Sequence, residues 1–165
     1  MNSKELINLM LSPQWTAKLL FHFVVGAQRI SPNGIKTELL YLALPFLIDD
    51  VTRRNIKGNI KSSFFSTFIK NQSINDSELL KLRNALHNKN RQTKEYGDYT
   101  NRALIYLGNI TEIETGKHTK VKSTIQYQDE LESIRSYCKA AHYLGVIFAK
   151  EDHHNIFLKL GIMNI

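Results

Sequence analysis

The run Leu19-Leu20-Phe21-His22-Phe23-Val24-Val25 gives a helix almost no polar side to turn toward water. A helix that is apolar nearly all round has to be surrounded by protein. The rest of the chain is therefore committed to wrapping it with other elements. Pro13, followed by Gln14 and Trp15, suits the first turn of this helix, where a missing N–H costs no bond. The helix is expected to reach about Ile30. Before it, Glu5 to Leu11 reads as a short amphipathic lead-in helix stopped by Ser12-Pro13. After it, Ser31-Pro32-Asn33-Gly34 has turn chemistry, because proline fixes φ while Asn and Gly tolerate positive φ.

A third helix is expected from Ile35. It carries the longest apolar run, Leu39 to Ile48, ten residues against the roughly 20 that a membrane-spanning helix needs. Pro45 should kink or end it, since proline removes a donor and clashes with the preceding turn. Asp49-Asp50 then reads as an N-cap for a short basic helix. Each acid stands four residues before an arginine, Asp49 to Arg53 and Asp50 to Arg54, the helical ion-pair spacing. That reading outweighs a paired-carboxylate catalytic or metal site, because adjacent residues at a helix end point in different directions. Ser62 to Ile69 looks helical, with Phe64, Phe65 and Phe68 on one side. Asn75-Asp76-Ser77 caps a helix through Leu79, Leu82 and Leu86 to about Lys89. The polar stretch Asn88 to Asp98 reads as a bend, and Tyr99, Ala103, Leu104 and Leu107 mark another helix halted by Gly108.

Strand patterning is strongest at Ile110-Thr111-Glu112-Ile113-Glu114, with a turn at Thr115-Gly116-Lys117 and a return through Thr119 to Lys122. Helices followed by a hairpin is the order of a winged-helix module. Tyr127, Leu131, Ile134, Cys138, Ala141, Gly145 and Phe148 then step by four and three residues, a coiled-coil-like stripe against one neighbour. Ala141 and Gly145 would allow close approach. Glu151-Asp152 opens a terminal helix with Ile156, Phe157, Leu158 and Leu160, ended by Gly161. Ile162-Met163-Asn164-Ile165 is an apolar tail that either docks on a partner or packs on its own domain. The expected fold is mainly α: a single domain over 1–165, with a helical part over about 1–72, a winged-helix-like part over about 75–125 and C-terminal helices over about 126–160.

Cys138 is the only cysteine, so no internal disulfide forms, which fits a reducing compartment. The start Met1-Asn2-Ser3-Lys4-Glu5 lacks the pattern of a secretory signal, and a cytoplasmic protein without membrane association is expected. A structural zinc site would need four ligands, usually with paired cysteines. His142 one turn from Cys138, and His153-His154 near Asp152, fall short of that, and His22 reads as a hydrogen-bonded core residue. With no nucleophile elbow, no Walker or Gly-x-Gly-x-x-Gly loop, and a thiol in apolar surroundings, neither enzyme activity nor a cofactor or metal is expected.

Lys and Arg exceed Asp and Glu by 22 to 15, a formal charge of +7 that favours anionic partners. Two basic groups are candidates for nucleic-acid or partner contact. Arg53, Arg54, Lys57 and Lys61 form one. Lys117, Lys120 and Lys122, with His118, decorate the hairpin, where lysines either follow a phosphate backbone or blunt an exposed strand edge.

Three segments together resemble a known family: Trp15…Leu19-Leu20…Gly26-Ala27, then Gly34-Ile35-Lys36-Thr37-Glu38 through the Leu-Pro-containing run to Ile48, then Thr52-Arg53-Arg54. They resemble the middle component of three-component ABC-ATPase defence systems, the class that includes Lamassu. The resemblance implies a non-catalytic adaptor that links an SMC- or Rad50-like ATPase, which senses phage or plasmid DNA, to an effector nuclease. DNA contact would come through the complex. The alternative is a free-standing winged-helix DNA-binding regulator.

Overall fold

The computed structural model describes residues 2–123 and 125–163. Helix α1 (Ser3–Met10) is closed by a capping box in which Asn2 and Glu5 each bond the other's backbone N–H. Helix α2 (Pro13–Gln28) follows with Pro13 in its first turn, and an uninterrupted stretch from Leu19 to Ala27 is buried. It is the axis of the molecule.

Helix α8 (Glu132–Ala149) lies against α2 at backbone contact. A Cβ on Gly145 would stand 1.9 Å from the Phe23 carbonyl oxygen, and one on Gly26 would stand 1.8 Å from that of His142. Two glycines, one from each helix, thus let the chains touch without side chains between them. The expected stripe holds from Cys138 through Ala141 and Gly145 to Phe148, all buried. Its N-terminal half departs from expectation. Tyr127 sits in a separate 3-10 turn (Tyr127–Asp129), and Leu131, at the α8 N-cap, is 74% exposed. Helix α8 begins only at Glu132, so the period before that point has no helix to run on.

The segment after the Ser31–Gly34 turn differs too. Gly34 has φ +83°, and its missing Cβ would fall 2.0 Å from the Thr119 carbonyl oxygen. That approach lays Ile35–Lys36 down as a strand, β1, and a 3-10 turn (Thr37–Leu39) comes before helix α3 (Leu40–Ile48). Pro45 lies inside α3 without ending it. Helix α4 (Asp50–Asn55) starts at once, capped by Asp49. The expected phenylalanine helix is a π-helical turn (Phe65–Ile69). Phe64 and Phe68 are buried with Phe46 and Phe148, centroids 5.0 to 6.3 Å apart, while Phe65 is exposed.

Helix α5 (Asp76–His87) has the Asn75 cap, completed by Glu78. The stretch expected as a bend is helix α6 (Lys89–Glu95). Helix α7 (Gly97–Ile110) passes through Gly108 and buries Thr100, Ala103 and Leu107. The hairpin is shorter than its sequence pattern: β2 (Ile113–Glu114) pairs antiparallel with β3 (His118–Val121), Ile113 opposite Val121. Residues 110 and 111 terminate α7 instead, because helix packing on α2 holds that end of the segment. Strand β1 pairs with the other edge of β3, Ile35 opposite Thr119, so the sheet order is β1-β3-β2. The Gln28 side chain also brackets Val121, accepting from its N–H at 2.8 Å and donating to its carbonyl at 3.0 Å. Helix α9 (His153–Leu160), capped by Asp152, ends at Gly161 with φ +68°. Of the apolar tail, Ile162 is buried and Met163 exposed; Asn164 and Ile165 lie outside the described residues. The chain is mainly α, with one small antiparallel sheet. Among the described residues, no helix is long and apolar enough to cross a membrane.

Candidate functional site

The junction of α3, α4 and α6 is where polar chemistry enters the core. The last four carbonyls of a helix have no intrahelical partners, and here side chains take three of them at the end of α3. Lys89 Nζ donates to the Pro45 carbonyl at 2.9 Å, Thr52 Oγ1 to that of Phe46 at 2.7 Å, and Arg53 to that of Leu47 at 3.1 Å. Lys89 is wholly buried and pairs with Asp49 at 3.2 Å. Burial pulls its pKa down to about 8 against the opposing pull of Asp49. Asp49 therefore pairs with Lys89 and not with Arg53, as its spacing had suggested, while its other oxygen accepts from the N–H groups of Val51 and Thr52. Asp50 takes both arginines, Arg53 closely and Arg54 at 3.6 Å, and the hydrogen bond from Arg53 holds its carboxyl below the usual range.

The first basic group opens onto a cleft of about 480 Å³ between α4 and α8. Arg53, Arg54 and Lys57 line one wall, and Lys139, Tyr137 and Tyr143 of α8 the other. The Arg53 guanidinium lies 4.4 Å from the Tyr137 ring centroid. Lys61 is exposed but does not line this cleft. Lys139 is the cation that sequence reasoning missed. Its signal lay in the helical stripe, which buries Cys138 and so turns the next residue outward.

The hairpin lysines are arranged differently. Lys120 pairs with Glu114 at 3.2 Å, and Lys122 with Glu112 at 2.5 Å, across the two strands. The Glu112 hydrogen bond raises the Lys122 pKa. Lys117 stands at the exposed turn without an ion pair among the described residues.

A third arrangement sits where α2 meets the segment before α8. Glu130 accepts from Lys18 at 2.8 Å and from His22 Nε2 at 2.8 Å. Burial alone would raise Glu130, but those bonds outweigh it and hold its carboxyl below the usual range. His22 is lowered chiefly by burial, so the neutral ring donates from Nε2, leaving a bare, buried Nδ1. The Cys138 thiol is close enough that one ligand atom each from His22, Glu130 and Cys138 lies within 4.8 Å of the others. Burial pushes that thiol up to about 12. The Lys18 ammonium on Glu130 already supplies the compensating charge, so the cluster reads as an internal clamp. His142, one turn from Cys138 on α8, accepts from Arg29 at 3.2 Å through Nε2.

Above Glu130 is a groove of about 400 Å³ whose lining includes Phe21, Tyr106, Ile110 and Ile125. Ile110 and Ile125 are 61% and 51% exposed. At the opposite end of α7, Tyr99 donates to Asn8 of α1 at 2.9 Å. Leu6, Ile7, Leu9 and Met10 of that helix are each exposed by 46% or more. Scattered apolar surface residues are ordinary, but four on one short helix form a patch.

The family model of the ABC-three component (ABC-3C) system Middle Component 3, MC3, matches residues 2–164. The chain belongs to the MC3 family. No curated protein and no solved structure matches it. In this MC3 chain the segments that carried the resemblance do structural work. Gly26 is one half of the α2–α8 contact, Gly34 turns into β1, and Thr52 and Arg53 close the carbonyls of α3. As a middle component of a three-component system, it has partner subunits.

Proposed function

We propose that this MC3 chain is the adaptor of its system. It holds an SMC- or Rad50-like ATPase and an effector nuclease together in the cytoplasm, and relays ATPase motion to the effector when phage or plasmid DNA is sensed. It performs no chemistry of its own. The observation that carries this reading is α1: a well-capped helix whose Leu6, Ile7, Leu9 and Met10 remain uncovered. An amphipathic helix with an open apolar face fits a groove on another protein. The groove rimmed by Ile110 and Ile125 accepts apolar anchors at the far end of α7. The test is reconstitution with the ATPase and effector encoded alongside it. Leu6→Glu with Leu9→Glu alters exposed side chains only, so the melting temperature should hold while co-purification of at least one partner is lost. Unchanged assembly would remove α1 from the interface.

A second reading, the free-standing winged-helix regulator, is favoured by one observation. The sheet order β1-β3-β2 matches that of a winged-helix sheet, although β1 precedes the 75–125 segment and five helices, α3 to α7, separate it from β2. Specific duplex binding by the chain alone, abolished by Lys117→Glu, Lys120→Glu and Lys122→Glu, would establish it; unaffected retardation would exclude the hairpin as the reader.

A further inference from the structure

Lys57 lines three clefts at once. It borders the α4–α8 cleft with Lys139, a second with Lys70 and Phe65, and a third with Arg54 and Lys81. The three clefts therefore adjoin at one side chain and set out a surface track from α8, past the end of α4, to α5. Lys57, Lys70, Lys81 and Lys139 are all exposed, and none makes an ion pair among the described residues. The acids along the track are engaged: Asp50 by Arg53 and Arg54, and Glu78 in the α5 capping box. An elongated line of unpaired cations suits a linear polyanion better than a single small anion, because each added charge neutralised releases a further counterion.

Aromatic faces decide between polyanions. Phe65, 49% exposed, lies in the cleft with Lys70, and half-buried Tyr143 flanks the α8 end; Tyr137 lies beside it with its ring already under the Arg53 guanidinium. Rings interleaved with cations along a groove are what stacking of unpaired bases uses, whereas a duplex keeps its base faces covered and an acidic peptide has none. We propose that this track binds a single nucleic-acid strand through its backbone phosphates, with bases resting on the aromatic rings. The site is separate from α1 and the apolar groove, so it stands or falls apart from the adaptor reading.

The test is fluorescence anisotropy of a labelled 20-nucleotide oligothymidine with the intact chain, from about 50 to 200 mM salt. Binding should weaken steadily with salt. Lys57→Glu with Lys139→Glu should lower affinity about tenfold or more, and flatten the log–log salt slope by about 1.4 for two lost single-strand contacts. Phe65→Ala, at an exposed ring, should cost severalfold while leaving the slope unchanged, a result that a purely ionic surface would not give. Unchanged melting temperatures for these variants keep the comparison clean. Absence of binding at the lowest salt overturns the proposal. So does an equal loss on reversing Lys117, Lys120 and Lys122, or polyglutamate or duplex binding as tightly as the single strand.

Discussion

The α2–α8 crossing and the α3–α4–α6 junction both hold the core together, by opposite means. At the crossing, side chains are absent where the helices touch, and Gly26 and Gly145 bring backbone against backbone. At the junction, long polar side chains reach in, and a buried ammonium, a hydroxyl and a guanidinium complete one helix end. The first depends on shape and tolerates no added atom. The second depends on charge and hydrogen bonding, and tolerates no missing partner.

Adding one carbon should therefore do most damage at the crossing. Gly145→Ala or Gly26→Ala places a Cβ under 2 Å from a carbonyl oxygen. The expected loss is about 3 kcal/mol, the upper end for overpacking, read from the midpoint of urea unfolding. An equal midpoint for either variant would mean the helices can slide apart cheaply.

At the junction the asymmetry lies between partners. Asp49→Ala removes an N-cap and strands the wholly buried Lys89 charge, at an expected cost of about 3 kcal/mol. Lys89→Met takes a donor from the partly exposed Asp49 carboxylate, the Pro45 carbonyl and the half-buried Gln92 side-chain oxygen, but strands no charge in the core, and should cost about 1 kcal/mol. Reversal of that order, by chemical denaturation, would show that the Lys89 bond to Pro45 outweighs its pairing with Asp49.

Acid should find the crossing first. His142 lies on α8 with its pKa lowered to about 4, chiefly by burial and then by Arg29, and His22 on α2 is lowered as well. Between about 4 and 6.5 the unfolded chain binds protons that the folded chain refuses, so stability is intact above that window and falls as pH drops through it. For His142 alone the loss approaches about 3 kcal/mol at pH 4. His142→Gln should flatten the dependence of melting temperature on pH; an unaltered slope would assign the acid sensitivity elsewhere. Smallest of all, Lys120→Ala on the hairpin should shift stability by about 0.5 kcal/mol or less, as an exposed cross-strand pair does.

The same contrast explains what the sequence disclosed. Apolar period and small residues announced the crossing: Leu19 to Val25, Cys138, Ala141 and Gly145 are buried as their spacing requires. Only Gly26, its reciprocal, had no period to mark it. The junction was not legible, because Lys89 and Thr93 are polar letters in a polar stretch that read as a bend. The burial of Lys89 depends on Pro45 and Asp49, forty or more positions earlier, whose carbonyl and carboxylate receive it, and Thr93 in turn donates to the Lys89 carbonyl. Local spacing likewise proposed Asp49 with Arg53, and a distant lysine prevailed. The candidate site follows the pattern. Arg53, Arg54 and Lys57 were visible as a basic cluster, while Lys139 joined them only through the packing of α8 beside α4.

The pairing of β1 with β3 has a mechanical consequence. The hairpin is stitched on one edge to a strand that follows α2 after a short turn and, through Gln28, to the end of α2 itself. It cannot swing as an independent arm. Its bonds run to the central helix, and the glycine contact joins that helix to α8, so a displacement of the hairpin would be felt along that line before anywhere else.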